Sequence, residues 1–270
     1  MMKLEGKKIV LTGATGGIGA EVAKALAAKG AVLLLTGRRQ MELEVVRTQL
    51  EGNGHEYVLA DITTSEGRSR LIDAAERFGM EVLINNAGAN ELALLEDLDD
   101  AQIEKTLSVN LLSPILLCRD ALPILKQNSG TLLNVGSILG SIGYAGSTAY
   151  CASKFGLRGF TESLRRELAD TPVNVIYFAP RATDTALNSD SMKAMNQELG
   201  AHVDSPELVA AHLVAALQQG VGKNVYLGWP ESLFVRINSI LPQLVDKSLF
   251  KQLAIIRKYA RGQQYATQQK

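Results

Sequence analysis

Short apolar segments alternate with amphipathic segments along most of this chain. Strands are predicted where apolar residues run together, at 8–11, 31–35, 57–60, 82–84, 131–135, 173–178 and 224–227. Helices are predicted between them, at 21–29, 41–50, 65–78, 99–125, 149–169 and 204–219. Strands that alternate with helices favour parallel strands joined by right-handed crossovers. The pattern predicts an α/β fold with a doubly wound parallel sheet.

The pattern changes beyond residue 228, where apolar and basic residues interleave. We interpret residues 1–228 as one domain and 229–270 as a C-terminal helical extension, with Pro242 between two predicted helices. From Gly220 onward the chain has eight basic residues and two acidic ones. A basic amphipathic helix can lie on a membrane surface, so membrane contact through 229–260 is one interpretation. A lid and an oligomer contact are the others.

Amino-acid composition argues against several classes of protein. The chain has 270 residues, 46% of them hydrophobic and 21% charged, which is typical of a globular protein with a large core. The formal net charge is zero, so overall charge gives no reason to expect a nucleic-acid partner. Cys118 and Cys151 lack metal-ligand spacing and are expected to be free buried thiols, with no metal site. No signal peptide or spanning apolar run is visible, so we expect a cytoplasmic protein.

A glycine-rich segment from Thr12 to Gly19 separates the first predicted strand from the first predicted helix. Gly13 would permit a tight turn, Gly17 would let the backbone approach a pyrophosphate, and Gly19 would let the helix pack close to the strand. The helix N-terminus would then present free N–H groups to the phosphates. This context predicts a Rossmann-like dinucleotide site, the alternative being an ordinary glycine-rich turn.

The end of the second predicted strand indicates which dinucleotide binds. An acidic residue there would bind the ribose 2′-hydroxyl of NAD, but the sequence is Thr36-Gly37-Arg38-Arg39. Arginine can pair with the 2′-phosphate of NADP through charge-assisted hydrogen bonds. We therefore expect NADP(H). The alternative is that Arg38 and Arg39 form a solvated basic turn.

Several motifs in order resemble the classical short-chain dehydrogenase/reductase family. They are the TGxxxGxG form of Thr12, Gly13, Gly17 and Gly19, then Asp61, the segment Asn85-Asn86-Ala87-Gly88, Asn110, Ser137, Tyr150 with Lys154, and a PGxxxT-like segment from Pro180 to Thr185. The resemblance implies that the cofactor is bound by Gly13, Thr15, Gly17, Ile18, Gly19, Arg38, Arg39, Asp61, Ile62, Asn86, Ala87, Gly88, Tyr150, Lys154, Pro180 and Thr185. It also implies a homodimer or homotetramer, formed through the helices at 99–125 and 149–169.

The resemblance implies that Asn110, Ser137, Tyr150 and Lys154 are the catalytic residues. Tyr150 and Lys154 are four residues apart and share one helix face. We expect the Lys154 ammonium to lower the pKa of the Tyr150 phenol, which then exchanges a proton with the substrate. Ser137 would donate a hydrogen bond to the substrate oxygen. Asn110 would hold a water that links Lys154 to solvent.

One residue departs from the family pattern. Arg181 stands where the family usually has glycine, and glycine often serves an unusual backbone angle. Arginine at this position could alter the shape of the loop. The resemblance still implies that Thr185 contacts the nicotinamide carboxamide.

The expected substrate surroundings are apolar. They are a loop at 186–200 with Leu187, Met192, Met195 and Leu199, and a segment with Ile138, Leu139, Ile142 and Tyr144. We expect an NADPH-dependent oxidoreductase acting on an apolar carbonyl or alcohol, such as a lipid-like aldehyde or ketone. A 3-oxoacyl thioester reductase and a non-catalytic NADP(H)-binding regulator are the alternatives.

Overall fold

The computed structural model describes residues 1–261, so residues 262–270 of the predicted extension lie outside the described part. One parallel sheet of seven strands, in the order β3-β2-β1-β4-β5-β6-β7, forms the centre of this part. The strands are β1 Lys8–Thr12, β2 Val32–Gly37, β3 Glu56–Leu59, β4 Val82–Asn85, β5 Thr131–Val135, β6 Asn174–Ala179 and β7 Asn224–Tyr226. The predicted doubly wound α/β fold is confirmed. The division of the chain at residue 228 stays a prediction.

Helices cover both faces of the sheet. They are α1 Gly17–Ala27, α2 Gln40–Thr48, α3 Ser65–Phe78, α4 Asp100–Leu107, α5 Ser113–Gln127, α6 Thr148–Glu167, α7 Asp190–Glu198, α8 Pro206–Gln219, α9 Glu231–Ile240, α10 Pro242–Phe250 and α11 Leu253–Ala260. Alternate residues of β1 face opposite layers. Ile9 and Leu11 pack in the layer of α1 and α8, whereas Val10 packs in the layer of α3 and α5. Burial on both faces explains the continuous apolar runs of the strands.

The structure corrects four details of the predicted elements. The predicted helix at 99–125 is divided, because a π-helical turn, Ser108–Leu112, joins α4 to α5. The first helix begins at Gly17 rather than at residue 21. The expected loop at 186–200 contains α7, which Ser189 caps by accepting a hydrogen bond from the Met192 amide. The described part of the extension contains three helices instead of two.

The helical stretch Asp100–Gln127 is apolar and long enough, by composition and length, to cross a membrane, and 33% of its most apolar window is buried in the protein. The sequence analysis expected no such run. Leu117, Ala121 and Leu125 of this stretch are fully buried against the sheet, as in a core helix. Cys118 is also buried there, and both Cys118 and Cys151 are free thiols.

Candidate active site

A cavity of about 1170 Å³ lies at the carboxyl ends of the strands. The loops that follow β1, β2, β3, β4, β5 and β6 all contribute residues to its wall. The chain order of the strands reverses between β1 and β4. Ligands in doubly wound sheets bind at such a switch point, because the loops diverge there and leave a crevice.

The glycine segment lies at the bottom of this cavity, and its glycines are required sterically. Gly13 has φ 64°, and a Cβ there would lie 2.7 Å from the Cα of Ala87. A Cβ on Gly19 would overlap the carbonyl oxygen of Gly13. Gly16 precedes α1 and no side chain caps the helix, which leaves N–H groups of its first turn available to an anion.

Hydrogen bonds tie the glycine segment to the loop after β4. The Asn86 side chain donates to the carbonyl oxygens of Thr12 and Gly13, at 3.2 and 3.1 Å. The buried Thr12 hydroxyl accepts from the backbone N–H groups of Asn86 and Ala87, at 3.0 and 3.1 Å. The glycine-rich motif alone does not indicate a separate role for Thr12. Its buried position shows that it fixes two cofactor-side loops relative to each other.

Arg38 and Arg39 lie at one end of the cavity, beside Asp61 and Ile62. Arg39 forms an exposed ion pair with Glu42 at 2.6 Å. Partial burial would raise the pKa of Asp61, but hydrogen bonds from Thr63 and the charge of Arg38 hold that pKa below its usual range. This end of the cavity therefore combines two cations with one ionised carboxylate.

Ser137, Tyr150 and Lys154 line the same cavity. The Lys154 Nζ lies 5.7 Å from the centre of the Tyr150 ring and donates to the carbonyl oxygen of Val135 at 2.9 Å. Ser137 lies two residues after the end of β5, and its backbone is held by the buried Tyr177. The Tyr177 hydroxyl accepts from the Ser137 N–H at 3.3 Å and donates to the Ser137 carbonyl oxygen at 3.2 Å. No local pattern in the sequence indicates this role of Tyr177.

Burial dominates the protonation of these side chains. It raises the pKa of Tyr150 to about 12, although the hydrogen bond with Ser137 acts in the opposite direction. Burial also lowers the pKa of Lys154 to about 8. For the protein's own groups, burial is the dominant influence on the Tyr150 phenol, and the ammonium of Lys154 donates its hydrogen bond to Val135. The lowering of the Tyr150 pKa by Lys154 together with the positive charge of an oxidised nicotinamide stays a prediction.

Comparison with known proteins agrees with this geometry. A model of the short chain dehydrogenase family matches residues 7–196. Nodulation protein G of Rhizobium sp. (strain N33) is 35% identical over 190 residues, which are 69% of this chain and 77% of the relative. An uncharacterized oxidoreductase of Staphylococcus saprophyticus is 33% identical over 231 residues, 83% of this chain and 97% of the relative. The 3-oxoacyl-(acyl-carrier-protein) reductase FabG of Vibrio cholerae is 34% identical over 200 residues, 73% of this chain and 80% of the relative.

The chain belongs to the short-chain dehydrogenase/reductase family. It is therefore an oxidoreductase that acts on CH–OH or carbonyl groups of a small molecule with a nicotinamide dinucleotide. The family model ends at residue 196, so it covers neither α8 nor the C-terminal extension.

Asn110 is the one predicted site residue of this short-chain dehydrogenase that does not line the cavity. It is fully buried in the π-helical turn. Its Oδ1 accepts from the Ala89 N–H at 2.7 Å, while its Nδ2 donates to the Ala89 carbonyl oxygen at 2.8 Å and to the Ser153 hydroxyl at 3.0 Å. Asn110 thus ties the loop after β4 to α6 beside Lys154. Its role in holding a water stays a prediction.

Arg181 joins three segments of the dehydrogenase. Its guanidinium donates to both carboxylate oxygens of Asp204, at 2.9 and 2.8 Å, and to Glu231 Oε2 at 3.0 Å. The Asp204 side chain is fully buried and that of Arg181 is 12% exposed. The backbone at Arg181 does not adopt positive φ, so arginine replaces the usual glycine without strain. Thr185 lines the cavity beside Gly17, as expected for this loop.

The remaining wall of the cavity is largely apolar. Both segments expected near the substrate contribute to it, through Ile138, Leu139, Ile142, Tyr144, Leu187, Met192, Met195 and Leu199. The extension adds side chains that the sequence analysis did not place at the site, namely Phe234, Ile237, Leu244, Val245 and Leu249. Within residues 1–261 no group of three or more His, Cys, Asp and Glu is arranged to hold a metal ion.

Proposed function

We propose that this short-chain dehydrogenase is an NADPH-dependent reductase of an apolar carbonyl compound, such as a lipid-like aldehyde or ketone, or oxidises the matching alcohol. One observation carries the proposal. A single cavity joins the glycine segment and Arg38 to Ser137, Tyr150 and Lys154, and its remaining wall is largely apolar. An apolar wall favours a substrate whose body is apolar around one polar reacting group.

The cavity fits a phosphorylated dinucleotide. A pyrophosphate would fit beside Gly13 and Gly19, where a Cβ would close the space. The uncapped start of α1 would provide it with N–H groups. Arg38 and Arg39 line the cavity after β2, and no acidic residue ends that strand, which supports a cofactor with a 2′-phosphate. When bound, NADPH would supply a hydride to the substrate carbonyl carbon.

The chain's own residues would manage the proton and the developing negative charge. Burial raises the pKa of Tyr150 to about 12, so its phenol carries a proton at neutral pH and can serve as a proton donor. Tyr150 would donate that proton to the carbonyl oxygen, while the Ser137 hydroxyl donates a hydrogen bond to the same oxygen. Lys154, charged below about pH 8, would stabilise the phenolate left on Tyr150 and bind the nicotinamide ribose.

Tyr150→Phe tests this function. We expect turnover of NADPH with aliphatic aldehydes and ketones to be lost, because the proton donor is gone. NADPH affinity, measured by fluorescence titration, should change little. Tyr57→Phe is the matched control, since Tyr57 lies in β3 outside the cavity. Retained turnover in Tyr150→Phe would rule out Tyr150 as the acid.

A 3-oxoacyl thioester reductase is the second candidate, favoured by the similarity to FabG of Vibrio cholerae. The two candidates differ in the substrate that is reduced efficiently. Comparing kcat/KM for a 3-oxoacyl thioester with kcat/KM for an aldehyde of equal chain length, both with NADPH, separates them.

We also propose a cytoplasmic homodimer or homotetramer that associates through the helical stretch 100–127 and α6. The exposed Leu112 and Phe155 on these helices support an oligomer contact there. Light scattering of the parent and of Phe155→Ser would test it. A monomeric parent protein would refute the proposal.

A further inference from the structure

Helices α9 and α10 present large apolar side chains to solvent. Ile240 is 77% exposed, Leu244 is 55% exposed and Phe250 is 68% exposed, and Leu241 between the helices is also exposed. Val235 and Val245 are the buried residues of this helix pair. Contiguous exposed apolar patches are unusual on monomeric proteins and mark interaction surfaces. We call these four exposed residues, together with Arg236, Lys247 and Lys251, the outer face.

Three basic side chains lie on the same faces of the helices as the apolar side chains of the outer face. Arg236 is four residues before Ile240, and Lys247 and Lys251 are three and seven residues after Leu244. Among the described residues, none of these three cations has an ion-pair partner. Asp246 is the acidic residue of α10, while Glu231 of α9 is engaged by Arg181. The outer face is therefore apolar and positively charged.

We propose that the outer face binds an anionic lipid bilayer. Apolar side chains of such a surface enter the boundary between headgroups and acyl chains, and the cations beside them pair with lipid phosphates. A second copy of this chain fits less well. A two-fold contact would place the same cations opposite each other, whereas an anionic bilayer neutralises them.

The outer face is continuous with the mouth of the cavity. Leu244 belongs to both, and Phe234 of α9 lines the cavity while remaining exposed. The inner side of the helix pair is anchored beside the catalytic loop, because Asn238 donates to the Ser141 carbonyl oxygen at 2.9 Å and Val245 packs with Ile142. A bilayer on the outer face would thus adjoin the apolar half of the cavity. Substrate entry from the bilayer rests on the proposed function, but membrane binding does not.

Vesicle co-sedimentation of the full chain, without NADPH or substrate, tests the binding. We expect the protein to bind vesicles of equimolar phosphatidylcholine and phosphatidylglycerol but not vesicles of phosphatidylcholine alone. Lys247→Gln and Lys251→Gln should each lower the partition coefficient about fivefold, since a cation near an anionic surface contributes about 1 kcal/mol. Lys29→Gln is the matched control, because Lys29 lies between α1 and the start of β2, outside the outer face.

The apolar contribution has its own variants. The double variant Ile240→Ser, Leu241→Ser should abolish vesicle binding, whereas Val221→Ser, exposed just before β7, should not. Far-ultraviolet circular dichroism and activity on a short soluble aldehyde verify that each variant is folded. Loss of vesicle binding with that activity retained supports the proposal, independently of the natural substrate.

Three outcomes would overturn it: no binding of the parent to anionic vesicles, equal binding to neutral vesicles, or unchanged binding of the outer-face variants. A concentration-dependent dimer that Ile240→Ser abolishes, without vesicle binding, would assign the outer face to a second copy instead.

Discussion

Replacing Lys154 by methionine should inactivate the enzyme and yet stabilise its fold. The Lys154 side chain is almost fully buried, and burial lowers its pKa from an ordinary 10.5 to about 8. This difference corresponds to about 3 kcal/mol of unfavourable free energy for holding the charged ammonium in the folded protein. Methionine has a similar length and no charge, but it loses the hydrogen bond to Val135, worth about 1 kcal/mol. We expect a net gain of about 2 kcal/mol in the free energy of unfolding at neutral pH.

The gain in unfolding free energy from Lys154→Met should depend on pH, because the pKa of Lys154 is lower in the folded chain than in the unfolded chain. Below about pH 8 both the folded and the unfolded chain carry the ammonium of Lys154, so its full cost is present. Between about pH 8 and 10.5 the unfolded chain binds more protons, and the parent protein recovers stability as the pH rises. The advantage of Lys154→Met should therefore shrink over this window. Near pH 10.5 only the lost hydrogen bond remains, and the variant should be the less stable protein.

Urea denaturation of parent and variant, at neutral pH and close to pH 10.5, measures the effect. Lys126→Met is the matched control, because Lys126 is exposed at the end of α5 and should show no gain at either pH. Burial raises the pKa of Tyr150 to about 12, so its phenol stays largely protonated in the folded protein at both pH values. A Lys154→Met protein less stable than the parent at neutral pH, or a gain independent of pH, would refute the reasoning.

Three further variants test charged side chains of the cavity wall. Arg38→Asp should weaken NADPH binding by about 2 kcal/mol, roughly thirtyfold, with little change in NADH binding. Arg39→Asp should weaken NADPH binding less, because Arg39 already has a carboxylate partner in Glu42. Fluorescence titration measures both, and equal losses for the two cofactors would contradict the NADP(H) assignment. Arg181→Ala should lower the free energy of unfolding by about 3 kcal/mol, because the fully buried carboxylate of Asp204 loses both hydrogen bonds to the guanidinium and is left with the exposed His202 at 3.5 Å. The exposed pair of Arg119 gives the control, because Arg119→Ala should leave the urea denaturation midpoint nearly unchanged. An equally small change for Arg181→Ala would contradict its structural role.

The fold and the cofactor half of the site could be predicted from the sequence because local rules determine them. Continuous apolar runs identify the buried parallel strands, and parallel strands place all their carboxyl ends at one edge of the sheet. Gly13 and Ser137 were therefore expected at the same cavity although they are far apart in sequence. Tyr150 and Lys154 share a face for a simpler reason, their spacing on α6.

Other features depend on tertiary contacts that leave no local pattern. Asn110 is held in place by hydrogen bonds to Ala89 and to Ser153 of α6. The partners of Arg181 come from segments 23 and 50 residues away. The pKa of Tyr150 is set by its burial, which sequence spacing does not reveal.

The cofactor half and the substrate half of the cavity are built from different kinds of residue. Sequence comparison therefore indicates more about the cofactor half than about the substrate half. The cofactor half consists of short loops directly after strands, where a Cβ on Gly13 or Gly19 would collide with backbone, so substitution there is sterically excluded. The substrate half consists of apolar side chains from the loops after β5 and β6 and from α7, α9 and α10, where any residue of similar volume maintains the wall. The family model ends at residue 196, so it shows the reaction class without covering α9 and α10. Because α9 to α11 can diverge without disturbing Ser137, Tyr150 or Lys154, substrate preference in this chain should follow the C-terminal extension more closely than the matched domain.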